Sequence, residues 1–375
     1  MLAHPLMRHV PPQIAGRAIA VGGVVRDALL GLPPGRDLDL VVEGGLDPVP
    51  DWSAHDRFGT AIQVFPEGTL HVGMTRCERY PAPGALPEVE PGTLADDLAR
   101  RDITVNAMAV PLGGPDAGRL IDPYGGLADL GDGVIRILRR DAFVEDPSRL
   151  VRAARYAARL GFAPDDLTDL AAREVAPALD PGSARVAGEL RRLLEEENAA
   201  AALGLLQRVG VPWIVEDPGR LFAALERATG RPGAPEIPGW ALRLAAVEPE
   251  VRQRAAVPGW ARAVAQELTD GAALAGELAA EAHPSGVDRL LRSAPPATAV
   301  GALIAGAEGV ARWWATDRDR QTEVRGSDLV AAGIPPGPAI GRALAAVRAA
   351  LLDGSIDHDR DVQLDLALRV ARGEA

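Results

Sequence analysis

With 375 residues, 47% of them hydrophobic and 4% aromatic, the chain is long enough for two to four compact units with cores built mainly from Ala, Leu and Val. No apolar run of 18 or more residues occurs, residues 1–12 lack the apolar stretch of a signal peptide, and Cys77 is the single cysteine. These features predict no membrane-spanning helix, no internal disulfide and a reducing, cytoplasmic setting. The net charge of −12 excludes a broad basic coat for nucleic acid, but a local basic cleft suffices for an RNA end.

Ile19-Ala20-Val21 predicts a strand that ends in the Gly22-Gly23 turn. Residues 24–30 predict a helix, with Gly31 just past its end and Pro33-Pro34 as a stop. Residues 37–42 predict a second strand, on which Asp37 and Asp39 share one face while Leu38 and Leu40 share the other. Carboxylates about 7 Å apart along one strand face suit Mg²⁺ bridging to a triphosphate. The bare N–H groups of a Gly-Gly turn before a helix suit the phosphates themselves. Together these pieces point to nucleotidyl transfer.

Residues 43–50 read as a loop and 51–58 as a short helix. Residues 61–65 and 70–74 predict a hairpin around Pro66-Glu67-Gly68. Residues 80–92, rich in Pro and Gly, read as a loop, and 94–98 start a helix that leads into Arg100-Arg101-Asp102. Asp146 and Pro147 form an N-cap and first-turn pair for a helix on which Arg149, Arg152, Arg155 and Arg159 lie within about 120° of one another. All 40 basic residues are arginine, so any phosphate contact is a guanidinium capable of bidentate geometry. From about 200 to 320 the chain predicts short helices cut by many prolines. A tight-turned segment at 326–341 precedes an apolar helix to 352.

The string VGGVVRDALLG…RDLDL resembles the nucleotidyltransferase superfamily head. Within it, the string resembles the class II tRNA nucleotidyltransferase (CCA-adding) and bacterial poly(A) polymerase branch. Arg76-Cys77-Glu78-Arg79-Tyr80 is similar to that family's RxExY segment, and residues 100–109 to its RRDFTINAMA motif. Residues 121–130 look like the link between head and neck. Glu145-Asp146-Pro147-Ser148-Arg149 and the helix after it resemble the EDxxR motif, residues 182–190 the neck's closing Arg–Glu motif, and 326–341 the tail of CCA-adding enzymes.

The resemblance implies an α/β nucleotidyltransferase head with a small mixed sheet (1–137), an all-helical neck (138–200), body (201–320) and tail (321–375). Asp37 and Asp39 would be catalytic and hold two Mg²⁺. Gly22, Gly23, Arg26 and Arg101 would grip the triphosphate, and Asp102 and Asn106 would contact the ribose or organise the site. Asp146 and Arg149 would choose the base, Glu145 would orient Arg149, and Arg152 and Arg155 would hold phosphates or the base. Cytosine and adenine each pair an exocyclic amino donor with a ring-nitrogen acceptor, whereas uracil and guanine present the reverse. A carboxylate beside a guanidinium therefore accepts C or A and meets U or G like with like.

The implied activity is template-independent addition of C and/or A to the 3′ end of tRNA from CTP and ATP, with the tail gripping the tRNA elbow. The alternatives are a poly(A) polymerase and a non-catalytic RNA-binding relic of the same fold. The near-full length of the 80–92 loop counts against CC-only addition. His71 stands where some relatives carry an additional Asp, so two catalytic carboxylates are expected. The dipeptides His55-Asp56 and His358-Asp359 lack the spacing of a metal-dependent phosphohydrolase.

Overall fold

The computed structural model of the protein describes residues 4–44 and 60–374, together with the backbone of 53–55. It divides into two compact units, Met1–Pro212 and Trp213–Ala375.

The first unit opens with a short helix α1 (Pro12–Ala15), strand β1 (Ala18–Val21), helix α2 (Gly23–Leu29) and strand β2 (Asp37–Val42). Strands β3 (Ser53–His55), β4 (Thr60–Phe65), β5 (Gly68–Met74), β6 (Arg76–Arg79) and β7 (Glu88–Pro91) follow. After helix α3 (Leu94–Ala99), strand β8 (Ala109–Pro111) completes a six-stranded sheet in the order β3-β4-β5-β2-β1-β8. The β2–β5 pair is parallel and the others are antiparallel, so the sheet is mixed, as the family resemblance implies.

Burial decides which way β2 faces. Leu38 and Leu40 are 1% and 2% exposed and enter the core, while Asp37 and Asp39 face outward. Burying each leucine stabilises by about 1.5–3 kcal/mol, and a one-residue slip would expose both and bury two carboxylates. On the other side of β1, Ile19 and Val21 pack with Val41, Leu98 and Ala109. All four residues of β1 are buried, consistent with a central strand covered on both faces.

A close approach fixes the start of β2. The Arg36 carbonyl accepts from Thr69 N–H at 2.8 Å, and a Cβ on Gly68 would lie 1.6 Å from that same oxygen. Gly68→Ala is therefore expected to destabilise the protein by about 3 kcal/mol, the upper end for overpacking. It should also shift the strand that carries Asp37. Urea unfolding of the variant checks the first point, and lost activity at temperatures where it remains folded checks the second.

Two expectations differ here. Residues 53–55 form a strand paired with β4 where a short helix over 51–58 was expected, and the rest of that stretch lies outside the described residues. The 80–92 loop is shorter than its composition suggests, because Glu88–Pro91 pairs with β6 as β7. Cross-strand pairing supplies a partner for backbone that carries no hydrophobic alternation of its own.

Helices α4 (Gly126–Asp132), α5 (Ala142–Glu145), α6 (Ser148–Leu160), α7 (Asp166–Val175), α8 (Ala184–Glu195) and α9 (Ala199–Arg208) finish this unit. Arg155 of α6 pairs with Glu189 of α8 at 3.2 Å, both nearly buried, so an Arg–Glu brace joins these helices. Helix α9 belongs to the same compact unit, which runs to Pro212.

The second unit is helical among its described residues. It comprises α10 (Pro218–Thr229), α11 (Gly239–Arg243), α12 (Pro249–Arg254), α13 (Gly259–Ala280), α14 (Pro284–Leu291), α15 (Pro296–Ile304), α16 (Gly309–Arg312), α17 (Gly326–Ala331), α18 (Pro338–Leu352) and α19 (Arg360–Arg372). At 22 residues α13 is longer than the short helices expected, since no proline falls between 258 and 284. It packs closely on α15: a Cβ on Gly271 or Gly301 would lie within 2.0 Å of a carbonyl of the other helix. Asp288, Arg348 and Trp313 form a buried hydrogen-bonded group that ties α14 to α18. His358 pairs weakly with Glu323 at 4.0 Å and accepts from Arg320. Among the described residues no cluster of three or more His, Cys, Asp or Glu could hold a metal, and no helix is long and apolar enough to cross a membrane.

Candidate active site

The exposed face of β2 opens on a cavity of about 330 Å³. Its lining brings together Gly22, Gly23 and Asp39 from one end of the interior strands β1 and β2, Arg101, Asp102 and Asn106 from the loop after α3, and Asp146, Arg149 and Arg152 at the start of α6. Residues scattered over 130 positions of sequence thus converge because α6 packs beside the head of the same compact unit.

The Gly-Gly turn is shaped for close approach. Gly22 has φ +72°, the left-handed region that favours glycine, and a Cβ there would meet Arg101 Nη1 at 2.8 Å. Arg101 is held by Asp97 at 2.9 Å and donates to the Asn106 carbonyl at 3.3 Å. Its buried Nε has no protein partner, which leaves guanidinium donors for an anion.

Asp39 lies on the cavity wall; Asp37, next along the exposed face, is not part of the lining. Surrounding protein pushes the Asp39 carboxyl above its ordinary value, against the pull of His71 and Arg101, and the charge of Asp37 adds to the upward shift. Asp39 pairs in register with His71 on β5. Among the described residues no ion pair closes on Asp37 or Asp39. A carboxylate of raised proton affinity on the cavity wall, with a second carboxylate on the same strand face, fits a hard divalent cation. Mg²⁺ takes one or two protein carboxylates and completes its shell with phosphate oxygens and water, so the absence of a three-residue cluster is no obstacle.

The opposite wall is a lattice of arginine–carboxylate pairs. Asp102 pairs with Arg152 at 2.8 Å and accepts from Ile103 N–H at 2.9 Å. Arg149 donates to the Arg100 carbonyl at 2.8 Å, to Glu145 at 3.2 Å and to Tyr80 Oη at 3.3 Å. Tyr80 donates in turn to Glu78 at 3.2 Å, and burial pushes its hydroxyl up to about 12. Asp146 accepts from Ser148 N–H at 3.0 Å and its hydroxyl at 2.6 Å through Oδ1, while Oδ2 pairs with Arg185 at 2.9 Å. Thus Asp146 caps α6 and faces the cavity at once. Tyr156 also lines the cavity, with Arg26, Arg152, Arg155 and Arg159 around its ring at 4.6 to 6.0 Å. Burial raises its hydroxyl pKa, but Arg152, Arg155 and Arg26 together outweigh that and leave it below the ordinary value.

Two expected ligands stand elsewhere. Arg26, expected to grip the triphosphate, is 2% exposed and outside the lining. Its Nη1 donates to Asn106 Oδ1 at 2.6 Å and its Nη2 pairs with Asp27 at 2.7 Å. The Asn106 amide N–H groups have no protein partner, and Arg26 orients the side chain through Oδ1. Arg155, expected to hold phosphate or base, is 6% exposed and tied to Glu189 and Glu196. A buried guanidinium paired with two carboxylates braces α6 against α8 and the residue after it instead. The arginine face of α6 is therefore not a solvated one: Arg149 and Arg155 are buried and Arg159 is exposed. Sequence reasoning assigned no role to Glu78, Tyr80, Arg100, Ser148 or Tyr156, all of which line the cavity. The RxExY segment that carries Glu78 and Tyr80 was the available signal.

Asp97 and Asp102 set a pH dependence. Burial opposes their charge, but Arg101 and Arg100 outweigh it at Asp97, and Arg152 and the Ile103 N–H outweigh it at Asp102; both carboxyls sit below their ordinary range. They bind protons more weakly folded than unfolded. Their stabilisation is therefore full above about pH 4 and is lost as pH falls through the lower folded values. Urea midpoints measured between pH 6 and pH 2 should fall on the acid side, and Asp97→Asn should flatten that fall.

A mixed-sheet head with two outward carboxylates on one strand and a glycine turn facing a polar cavity is a nucleotidyltransferase fold. The poly A polymerase head domain model matches residues 18–136. The chain is 49% identical over 156 residues to the A-adding tRNA nucleotidyltransferase of Aquifex aeolicus, covering 39% of this chain and 19% of that protein. It is 35% identical over 334 residues to the CC-adding tRNA nucleotidyltransferase of Deinococcus radiodurans, covering 85% of this chain and 80% of that one. The Thermotoga maritima CCA-adding enzyme complexed with tRNA superposes with a TM-score of 0.73 at 26% identity, covering 97% of each chain. The chain belongs to the tRNA nucleotidyltransferase and poly(A) polymerase family. It spans about a fifth to a half of the length of three A-adding relatives that it matches.

Proposed function

We propose that the protein adds C and/or A residues to the 3′ end of tRNA, without a nucleic-acid template, from CTP and ATP. The observation that carries this reading is the single cavity shared by Asp39, the Gly22-Gly23 turn, Arg101, Asp146 and Arg149. It is supported by relatives named for A addition and for CC addition, so both nucleotides fall within the proposal.

The 3′-hydroxyl of the RNA attacks the α-phosphorus and gives its proton to solvent water as the new P–O bond forms. The bond to the β-phosphate breaks and pyrophosphate leaves. Asp37 and Asp39 would hold Mg²⁺, two ions in our reading, which when bound supply nucleophile activation and charge neutralisation. Gly22, Gly23 and Arg101 grip the triphosphate through N–H donors, and Arg152 adds charge beside it. Asp102 and Asn106 face the ribose, where the Asn106 amide N–H groups are free to donate. Asp146 accepts from the exocyclic amine of C or A, and Arg149, held by Glu145, donates to the ring nitrogen. We place the reaction in the cytoplasm, in keeping with the single cysteine, and assign tRNA-elbow binding to residues 321–375.

Sequencing the product ends on tRNA transcripts that lack one, two or three terminal nucleotides, with CTP and ATP supplied, tests the proposal. A defined end of C and/or A supports it. A long A tract made from ATP alone would make the protein a poly(A) polymerase, and an Asp39→Ala variant with full function in vivo would make it a non-catalytic relic.

A further inference from the structure

Arg149, Arg152 and Tyr156 all reach the cavity lining from α6, spaced i, i+3 and i+7 along one face of the helix. Arg149 stands at the end proposed to read the base, beside Asp146. Arg152 pairs with Asp102, which faces the ribose in that reading. Tyr156 lies two turns beyond Arg149, about 10 Å along the axis.

A second set of contacts puts Tyr156 beside the glycine turn. A Cβ on Gly23 would come within 3.5 Å of Arg26 Nη2, and the Arg26 guanidinium sits over the Tyr156 ring at 4.7 Å. One helix face therefore runs from the residue proposed to choose the base to the turn whose N–H groups suit phosphate.

The Tyr156 hydroxyl is uncommitted. Each guanidinium around the ring has a carboxylate of its own: Arg26 pairs with Asp27, Arg152 with Asp102, Arg155 with Glu189 and Arg159 with Glu196. Among the described residues the hydroxyl makes no hydrogen bond. Burial pushes its pKa up, but Arg152, Arg155 and Arg26 more than offset that, so the O–H is a stronger donor than that of an ordinary phenol. Such a donor makes its shortest and strongest hydrogen bonds to an anion, and no carboxylate of the protein takes it.

We propose that the Tyr156 hydroxyl binds the triphosphate of the incoming nucleotide, donating to a phosphate oxygen at the end of the cavity away from the base. The inference rests on the reading of this cavity as the CTP and ATP site. Tyr156→Phe removes the donor and keeps the ring that the arginines surround, so the fold should be unaffected.

Equilibrium titration of wild type and Tyr156→Phe with CTP, CMP and inorganic tripolyphosphate, in Mg²⁺ and without RNA, tests the proposal, with thermal melting of both proteins alongside. CTP and tripolyphosphate should bind about 10-fold more weakly to Tyr156→Phe, the low end for a hydrogen bond to a charged group. CMP binding, melting temperature and the choice of C and A over U and G should match wild type. In the addition assay the loss should fall on KM for CTP and ATP rather than on kcat. Wild-type tripolyphosphate binding by folded Tyr156→Phe overturns the inference, as does an equal loss for CMP, which would put the hydroxyl on the ribose or base. Wild-type protein that binds tripolyphosphate but adds no nucleotide to any RNA overturns the reading of function instead.

Discussion

Asp39→Asn should lower nucleotide addition by at least about 100-fold, the upper end of what losing even an outer-shell partner of a metal ligand costs. Asp39 is the carboxylate on the cavity wall, so the change removes an acceptor that the proposed divalent cation needs. The same variant should melt no lower than wild type. Desolvation by the surrounding protein, with the charge of Asp37 adding to it, holds the Asp39 carboxyl above its ordinary value against the pull of His71 and Arg101, so its charge works against folding in the metal-free protein. Lost activity, weaker Mn²⁺ binding and an undiminished melting temperature form the expected set. Wild-type turnover in Asp39→Asn would remove this residue from the chemistry.

Arg149→Ala should act on both stability and selectivity. The side chain is 8% exposed in its ion pair with Glu145 and also donates to the carbonyls of Arg100 and Ala142. Breaking a buried pair costs about 3–5 kcal/mol, and the low end is expected because Arg139 still pairs with Glu145. At a temperature where the variant is folded, discrimination for ATP and CTP over UTP and GTP should fall by about 10- to 100-fold, matching roughly 1–3 kcal/mol for an unpaired buried group. Denaturant unfolding reads the first effect and competition incorporation the second. Selectivity equal to wild type would move base choice away from Arg149.

The local elements around the head were legible because their signals are local. A Gly-Gly turn, a helix stop at Gly31 and strict alternation in Asp37-Leu38-Asp39-Leu40 each require only the residues that show them. Residues 53–55 and 88–91 were not legible as strands, because a partner strand supplies the pairing in each case. The same distinction separates the cavity residues. Asp39, Arg101 and Asp146 carry their chemistry wherever the fold places them, whereas Arg26, Arg152 and Arg155 are alike in sequence and divide only by what surrounds them.

The sequence by itself determined the strand–turn–helix–strand head, the outward pair of carboxylates, and the cap that starts the arginine helix, since periodicity and backbone preference act over a few residues. Tertiary structure decided which arginines open on the cavity, which are consumed by Asn106, Glu189 or Glu196, and that Tyr156 of α6 meets Arg26 of α2. The physical reason is that a guanidinium's role is set by the acceptors within about 3 Å of it, and chain-distant acceptors are brought there only by packing.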